Sequence, residues 1–489
     1  MFAIILLVLF LIAMIFIGIW GMRKTSNLND FFLGNRNIGP WISAMAYGTT
    51  YFSAVMFIGF AGKLGWGLGL NVLWISLGNT VFGALLAWLV LAKRTRRMTQ
   101  NLNVMTMPEF LQERYQSKYL KFFSSLLIFF FLLPYSASVF QGLGYLFEVN
   151  FKINYDIALL IMILITGVYL VLGGYFAITL NDFIQGIIML IGTVLMIGIL
   201  LGEGGGLMKT VASISQKYSE HIPKANQPGF WTIASLVFMT SFGTWGLPQM
   251  VQKFYAIKNE SVIPKAAIVT TFFSLIIVFS AYFAGAMTHI FFDETSIPRI
   301  SPEDGRINFD ALVPTLLTNK LPEVLMAVIL LLILSASMST LSSLVLVSSS
   351  AVAIDMYKGH INPNISKKNS LLMMRFLSAL FIIISFFIAK YKFAVIVTLM
   401  SLSWGAVAGA LMAPYFYGLY WKRATKEGAF AGMLTGCIVS TSLFFILGES
   451  KSPMASSIGM ITPFIVVPIV SLFTKPPKDG VLKKAFENI

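Results

Sequence analysis

The run Ser335-Ala336-Ser337-Met338-Ser339-Thr340-Leu341-Ser342-Ser343 carries six hydroxyls in nine residues, directly after the apolar Val328-Ile329-Leu330-Leu331-Leu332. On a helix Ala336, Ser339, Thr340 and Ser343 share one face, at i, i+3, i+4 and i+7. Hard cations such as sodium take oxygen ligands. Two adjacent hydroxyls and a backbone carbonyl one turn earlier supply three, and carbonyls freed where a partner helix unwinds, here around Thr49 and Phe52, would supply the rest. The competing reading is that the serines line close helix contacts and bond their own i−4 carbonyls. Asp182 is the second costly residue, because a carboxylate inside an apolar span is by default functional. It follows Gly173-Gly174 and Asn181, so a helix N-cap or first-turn role is its alternative. Asp30 and Asp355 fall at span edges and read as boundary residues.

The elements that hold these groups must lie in lipid. Of 489 residues 57% are hydrophobic and 11% charged, against roughly a quarter charged in soluble domains. Apolar runs of spanning length, about 20 residues each, occur at 2–20, 40–66, 69–92, 119–147, 155–173, 175–202, 229–256, 264–292, 322–354, 370–389, 393–418, 425–448 and 456–474. These predict an all-α polytopic membrane protein of about 13 transmembrane helices. Arg23 and Lys24 follow the first run and no cleavage site does, so it reads as a retained helix with its N-terminus outside. The C-terminus is then cytoplasmic, and 24 of the 35 Lys and Arg fall on the cytoplasmic side. That asymmetry is the positive-inside signal of a multi-pass protein of the cell inner (plasma) membrane. It accounts for the net charge of +15 without nucleic acid. Tail residues Lys475, Lys478, Lys483 and Lys484 either meet anionic lipid headgroups of the bilayer or are simply solvated.

Other chemistry is thin. Cys437, the single cysteine, excludes an internal disulfide. His221, His289 and His360 lie in loops or at a span end, so no buried histidine proton relay is visible, and no histidine, cysteine and carboxylate cluster suggests a membrane enzyme. The acidic segment 293–321 reads as an external cap and lacks the alternating ligands of a calcium loop.

Two spans are interrupted in matching ways. The second contains Tyr47-Gly48-Thr49-Thr50-Tyr51-Phe52-Ser53 before Gly59 and Gly62, and the seventh contains Thr240-Ser241-Phe242-Gly243-Thr244-Trp245-Gly246-Leu247-Pro248. Paired Gly/Pro-interrupted segments mark inverted-repeat transporters. Each opens a block of five spans, 40–202 and 229–418, within one transmembrane domain. An extra helix and loop, 1–39, precede them and two helices, 425–474, follow.

In this order and spacing the motifs resemble the sodium/solute symporter family, including its bacterial sodium/pantothenate and sodium/proline symporters. The resemblance rests on Phe31-Phe32-Leu33-Gly34-Asn35-Arg36-Asn37-Ile38-Gly39-Pro40 and Thr50 to Gly59, on Gly173-Gly174 with Leu180-Asn181-Asp182 and Gln185-Gly186, and on Gly246-Leu247-Pro248 with Lys253. Met338-Ser339-Thr340-Leu341-Ser342 and Gly418-Leu419-Tyr420-Trp421-Lys422-Arg423-Ala424 complete it. It implies a LeuT-like five-plus-five fold and a functional monomer that imports a small solute (an organic acid, amino acid, vitamin or sugar) with Na+ by alternating access. The family's principal sodium site falls on the carbonyls of Thr49, Phe52 and Ala336 and the hydroxyls of Ser339 and Thr340. A second sodium site of some members falls on Asp182, Ser339, Ser342 and Ser343, for two sodium ions per cycle. The substrate pocket falls on Ser53, Met56, Gln141, Thr240, Thr244 and Trp245, although Met56 also reads as packing and Trp245 as a helix anchor.

Departures are informative. Tyr51 stands where the proline symporters have an acid, and 119–147 has no evident arginine for a carboxylate such as sialic acid's, which demotes both solutes. Leu170 and Tyr175 depart from the glycine motif, and Lys253 replaces an arginine, keeping charge but losing the bidentate fork. The rivals are a proton-coupled permease of the same architecture and a membrane sensor that has lost transport.

Overall fold

The structure, a computed structural model, describes residues 2–24, 32–172, 175–293, 295–300 and 305–488. Asp30, Phe31, Gly173, Gly174, Glu294, Glu303 and Asp304 lie outside the described residues. α1 is Phe2–Lys24. α2 (Pro40–Tyr51) and α3 (55–68) are the halves of one interrupted helix, and α4 (73–101) follows a turn at Gly69, whose φ of 55° suits glycine. Next come α5 (Met107–Tyr115), α6 (Lys118–Phe151), α7 (Tyr155–Leu172), α8 (Tyr175–Glu203) and α9 (Leu207–His221). α10 (Phe230–Gly246) and α11 (Pro248–Tyr255) form the second interrupted helix, bent by 48° at Leu247. After them run α12 (Val262–Phe291), α13 (Phe309–Lys320), α14 (Glu323–Ile361), α15 (Lys367–Lys390), α16 (Ile396–Tyr420), α17 (Lys426–Leu447), α18 (Ser452–Phe473) and α19 (Asp479–Ala485).

The described parts of all thirteen apolar runs fall on helix apart from the two breaks and run ends, and helix is the only regular secondary structure among the described residues. By length and composition, nine described helices would cross a membrane, or ten with the bent α10–α11 pair. The difference from thirteen has two sources. Val55–Asn101 joins the second half of run 40–66 to run 69–92 through Gly69, and the apolar parts of α1 and α7, Ile4–Trp20 and Tyr155–Leu164, are shorter.

Helix interruption follows from local chemistry. Phe52 takes an extended conformation (φ −111°, ψ 111°) after its amide bonds the Gly48 carbonyl at 3.1 Å, and the Ser53 hydroxyl then accepts the Val55 amide at 3.2 Å, starting α3. In the second break Pro248 has no N–H to continue the ladder, yet fits the first turn of α11. Around these breaks α2 packs against α8, α12 and α14, and α10 against α4, α16 and α18.

The end carrying most of the basic residues is tightly closed. Ile38 pairs with the α11 exit strand (Ile38 N to Ala256 O 3.2 Å, Lys258 N to Ile38 O 3.0 Å). The Arg36 guanidinium donates to Thr99 Oγ1 at 3.1 Å, Tyr255 O at 3.3 Å and Val104 O at 2.6 Å, and Arg96 Nε donates to Ile257 O at 2.6 Å. Arg114 similarly satisfies Gly418 O and Trp421 O, both at 2.9 Å. Asp355 is not a surface boundary residue. It is buried, accepts from Thr106 Oγ1 at 2.8 Å and pairs with Lys121 at 3.5 Å. At the opposite end a cavity of about 470 Å³ opens between Lys63, Trp66, Trp231, Leu236, Val397 and Glu449.

Candidate functional site

The hydroxyl run of α14 lies against the last turn of α2. Opening the helix after Tyr51 removes the Ser53 and Ala54 amides from the carbonyls of Thr49 and Thr50, and the Thr340 hydroxyl takes their place, 3.3 Å from Thr49 O and 3.1 Å from Thr50 O. The same Oγ1 is 3.1 Å from Ala336 O. Ser339 Oγ donates to Thr49 Oγ1 at 2.8 Å, and that hydroxyl donates to Met45 O at 2.8 Å. Thr49, Ala336, Ser339 and Thr340, singled out from the sequence as one ligand set, thus meet in one fully buried cluster, with Phe52 at the break beside it. A convergence of carbonyl and hydroxyl oxygens without a charged side chain suits a weakly polarising monovalent cation.

Asp182 is buried two turns into α8, so it caps nothing. Its Oδ2 lies 3.1 Å from Lys253 Nζ, which also donates to Ser343 Oγ at 3.1 Å. Ser343 Oγ is in turn 3.1 Å from Thr50 Oγ1. Ser342 points elsewhere, its hydroxyl donating to Ser339 O at 2.9 Å. The partnership of Asp182 with Lys253, 71 positions apart, has no signal in the sequence beyond two charges in apolar surroundings.

Beside the first break is a second, smaller cavity of about 20 Å³, room for about one water. Ser53, Met56 and Thr240 line it, together with Asn79, Tyr135 and Trp404. Thr240 Oγ1 donates to Asn79 Oδ1 at 2.7 Å, and Tyr51, also at the cavity wall, donates to Thr240 O at 2.6 Å. The cavity lies one helical turn below the open one, since Leu236 precedes Thr240 on α10 and Val397 precedes Met400 on α16. Three expected pocket residues, Thr244, Trp245 and Gln141, do not line this cavity. Thr244 Oγ1 bonds Ser241 O at 2.9 Å, Trp245 Nε1 donates to Phe82 O at 3.0 Å, and Gln141 Nε2 is shared between Asp310 Oδ2 and Ala394 O, both at 3.3 Å. Asn79 was open to detection as an amide in an apolar run. Tyr135, Tyr282 and Trp404 were not, because 14% of this chain is aromatic.

Asp310, on the 12-residue α13 outside the spanning helices, caps α16 by accepting the Ile396 amide at 3.2 Å. Burial pushes its carboxyl up to about 6, against the pull of the Ile396 amide and of Lys63 and Lys392. This lies above the ordinary value of about 4, so the folded state holds the proton longer. Stability is therefore highest below about pH 4 for this group and falls as pH rises to about 6. Thermal scans in detergent are expected to show that fall, and Asp310→Asn to flatten it.

Residues 31–436 match the family described as "Sodium:solute symporter family". The chain belongs to that family. It is therefore a sodium-coupled symporter of a small solute, a multi-pass membrane transporter and not an enzyme, with sodium as its coupling ion. It is 30% identical to the osmoregulated proline transporter OpuE of Bacillus subtilis, covering 98% of both chains. It is 31% identical to sodium/proline symporter 2 of Staphylococcus saprophyticus, over 89% of this chain and 84% of the relative. In fold it resembles a sodium-coupled sialic acid symporter in a substrate-bound outward-open state (TM-score 0.79, 18% identity, 98% of both chains). It also resembles Mhp1, a nucleobase-cation-symport-1 family transporter, in a closed conformation (TM-score 0.54, 13% identity, 93% of this chain and 97% of the other). The LeuT-like architecture is thereby established for the symporter.

Proposed function

We propose that the symporter imports a compact zwitterionic amino acid, proline or a close analogue, by alternating access. The observation that carries this reading is a cavity without charged side chains set between the facing ends of α2 and α3. The carbonyl end of α2 favours a cation and the amide end of α3 an anion, so a zwitterion finds both charges matched by backbone. The rings of Tyr51, Tyr135, Tyr282 and Trp404 give its ammonium a cation–π surface and its methylenes an apolar one. Tyr51 in place of an acid then removes nothing essential, and the proline named for the two relatives agrees with a small solute. The uncharged walls disfavour sialic acid.

In this reading sodium binds the carbonyls of Thr49, Phe52 and Ala336 and the hydroxyls of Ser339 and Thr340. It holds the opened turn in place and so completes the solute cavity. The ion and the solute then raise each other's affinity by the same factor, and an inside-negative membrane adds about 2.3 kcal/mol per 100 mV for each sodium. Because the solute cavity holds about one water, loading requires α3 and α10 to part toward the open cavity, and release requires the Arg36 and Arg96 bonds to break. The blocks 40–202 and 229–418 serve as the inverted repeats that rock, with 1–39 and 425–474 outside them. Positive charge supports an N-terminus outside and a cytoplasmic C-terminus in the plasma membrane, and one chain provides the whole route.

The test is counterflow of labelled proline in proteoliposomes with sodium, and with potassium at fixed pH. Pantothenate, monocarboxylates, sugars and sialic acid serve as competitors. Proline uptake driven by sodium and unaffected by these competitors supports the reading, while uptake equal in potassium removes the sodium coupling assigned to these residues. Displacement by another panel member alone removes proline. Trp404→Ala, which strips a wall of the cavity, is expected to raise the solute KM by about tenfold or more, consistent with an aromatic cation contact and its buried area. The sodium requirement should be retained, as measured by initial uptake rates.

A further inference from the structure

The Asp182 carboxylate faces a cation that the chain itself supplies. Lys253 Nζ lies 3.1 Å from Asp182 Oδ2 and 3.1 Å from Ser343 Oγ, 5.5 Å from the centre of the Tyr175 ring, with the ammonium and carboxylate both buried. We propose that this ammonium stands permanently where a second sodium would otherwise bind, so that the symporter carries one sodium per solute. This rests on the sodium site proposed above at Thr49, Ser339 and Thr340.

Two oxygens that would ligate a small cation at Asp182 are already engaged by the lysine. They are Asp182 Oδ2 and the Ser343 hydroxyl, from two of the four residues the family pattern suggests for that ion. The pair is also electrically neutral, so it leaves no uncompensated negative charge to draw an ion out of water, where a buried lone carboxylate would. What is left is an unfilled ligand: Asp182 Oδ1 has no hydrogen-bond partner among the described residues. Removing the ammonium would free Oδ2 and the Ser343 oxygen beside it and expose the charge.

The position of the lysine also links it to the first ion. It projects from α11, the second half of the other broken helix, and Ser343, which accepts from Lys253, also shares a hydrogen bond with Thr50 Oγ1. The carbonyl of the same Thr50 accepts from Thr340. The ammonium is three hydrogen bonds from the Thr340 hydroxyl, and a neutral replacement leaves the Asp182 carboxylate uncompensated, so its attraction should tighten the first ion as well as admit a second.

Equilibrium binding of radiosodium to the purified full-length protein in detergent tests this without knowledge of the solute. The wild type is expected to bind one sodium per chain, Lys253→Met two, and Lys253→Met with Asp182→Asn one again. Lys253→Arg, which keeps the charge, should also bind one. In proteoliposomes active Lys253→Met should carry about twice the sodium charge per solute. Two sodium ions on the wild type, or one on a folded Lys253→Met, overturns the proposal while leaving the first sodium site intact. No sodium on the wild type removes the first site and this inference with it. Should Lys253→Met fail to fold, Lys253→Gln in the same assay gives the same two outcomes.

Discussion

Replacing Ser339 and Thr340 together by alanine is expected to raise the sodium concentration for half-maximal uptake by about 100-fold or more. Each hydroxyl is an uncharged donor turned ligand, and a polar contact to a charged group is worth about 1.5–3 kcal/mol, so two amount to at least two decades. The double substitution also removes the bonds from Thr340 to Thr49 O, Thr50 O and Ala336 O and from Ser339 to Thr49 Oγ1. The opened turn of α2 then loses its lateral support even without the ion. Thr340→Ser, which keeps the oxygen, should recover most of the affinity. Uptake as a function of sodium, normalised to protein in the membrane, measures this, and an unchanged half-maximal concentration would place the ion elsewhere.

Gly285→Val is expected to destabilise the fold by about 3 kcal/mol or more, and to abolish solute affinity with it. A Cβ on Gly285 would fall 2.0 Å from the carbonyl oxygen of Ala61, and one on Gly65 2.2 Å from the Gly285 carbonyl carbon. The backbones of α3 and α12 therefore touch with no side chain between them, the small-residue contact that holds membrane helices together when lipid gives no hydrophobic drive. Overfilling a packed contact costs about 1–3 kcal/mol when side chains can yield; here the obstacle is backbone, so the cost is at the top of that range or above. Displacing α3 also carries Met56 and Phe60 away from the solute cavity. A lowered thermal midpoint in detergent together with lost proline binding is the expected result. Gly67→Ala, where nothing lies within 4 Å of the added carbon, serves as the neutral control. Equal midpoints for the two variants would show that the α3–α12 contact can relax.

The face proposed for sodium was readable because helix periodicity is a local property. Ala336, Ser339 and Thr340 sit within five residues, and Thr49 was named by a broken helix whose glycine and flanking polar residues are also contiguous. The cavity proposed for the solute was half readable. Ser53, Met56 and Thr240 lie at the breaks themselves, whereas Asn79, Tyr135, Tyr282 and Trp404 arrive from four other helices. Gln141 looked equivalent to them in the sequence, and only its position beside Asp310 and Ala394 shows what occupies its amide. Helix edges misled in the opposite direction: Asp355 ends an apolar run yet is buried, because Lys121 and Thr106 come to it from α6 and the turn before α5.

By itself the sequence determined the solvent, the helical class, the two interruptions and the oxygen-rich face, since composition and period act over tens of residues or fewer. Which residue faces which across the bundle was decided only by the tertiary structure. The clearest case is Asp182. One costly carboxylate in a span announces a cation, but whether that cation is a dissolved ion or the ammonium of Lys253 depends on two helices meeting, and no local rule of sequence encodes that distance.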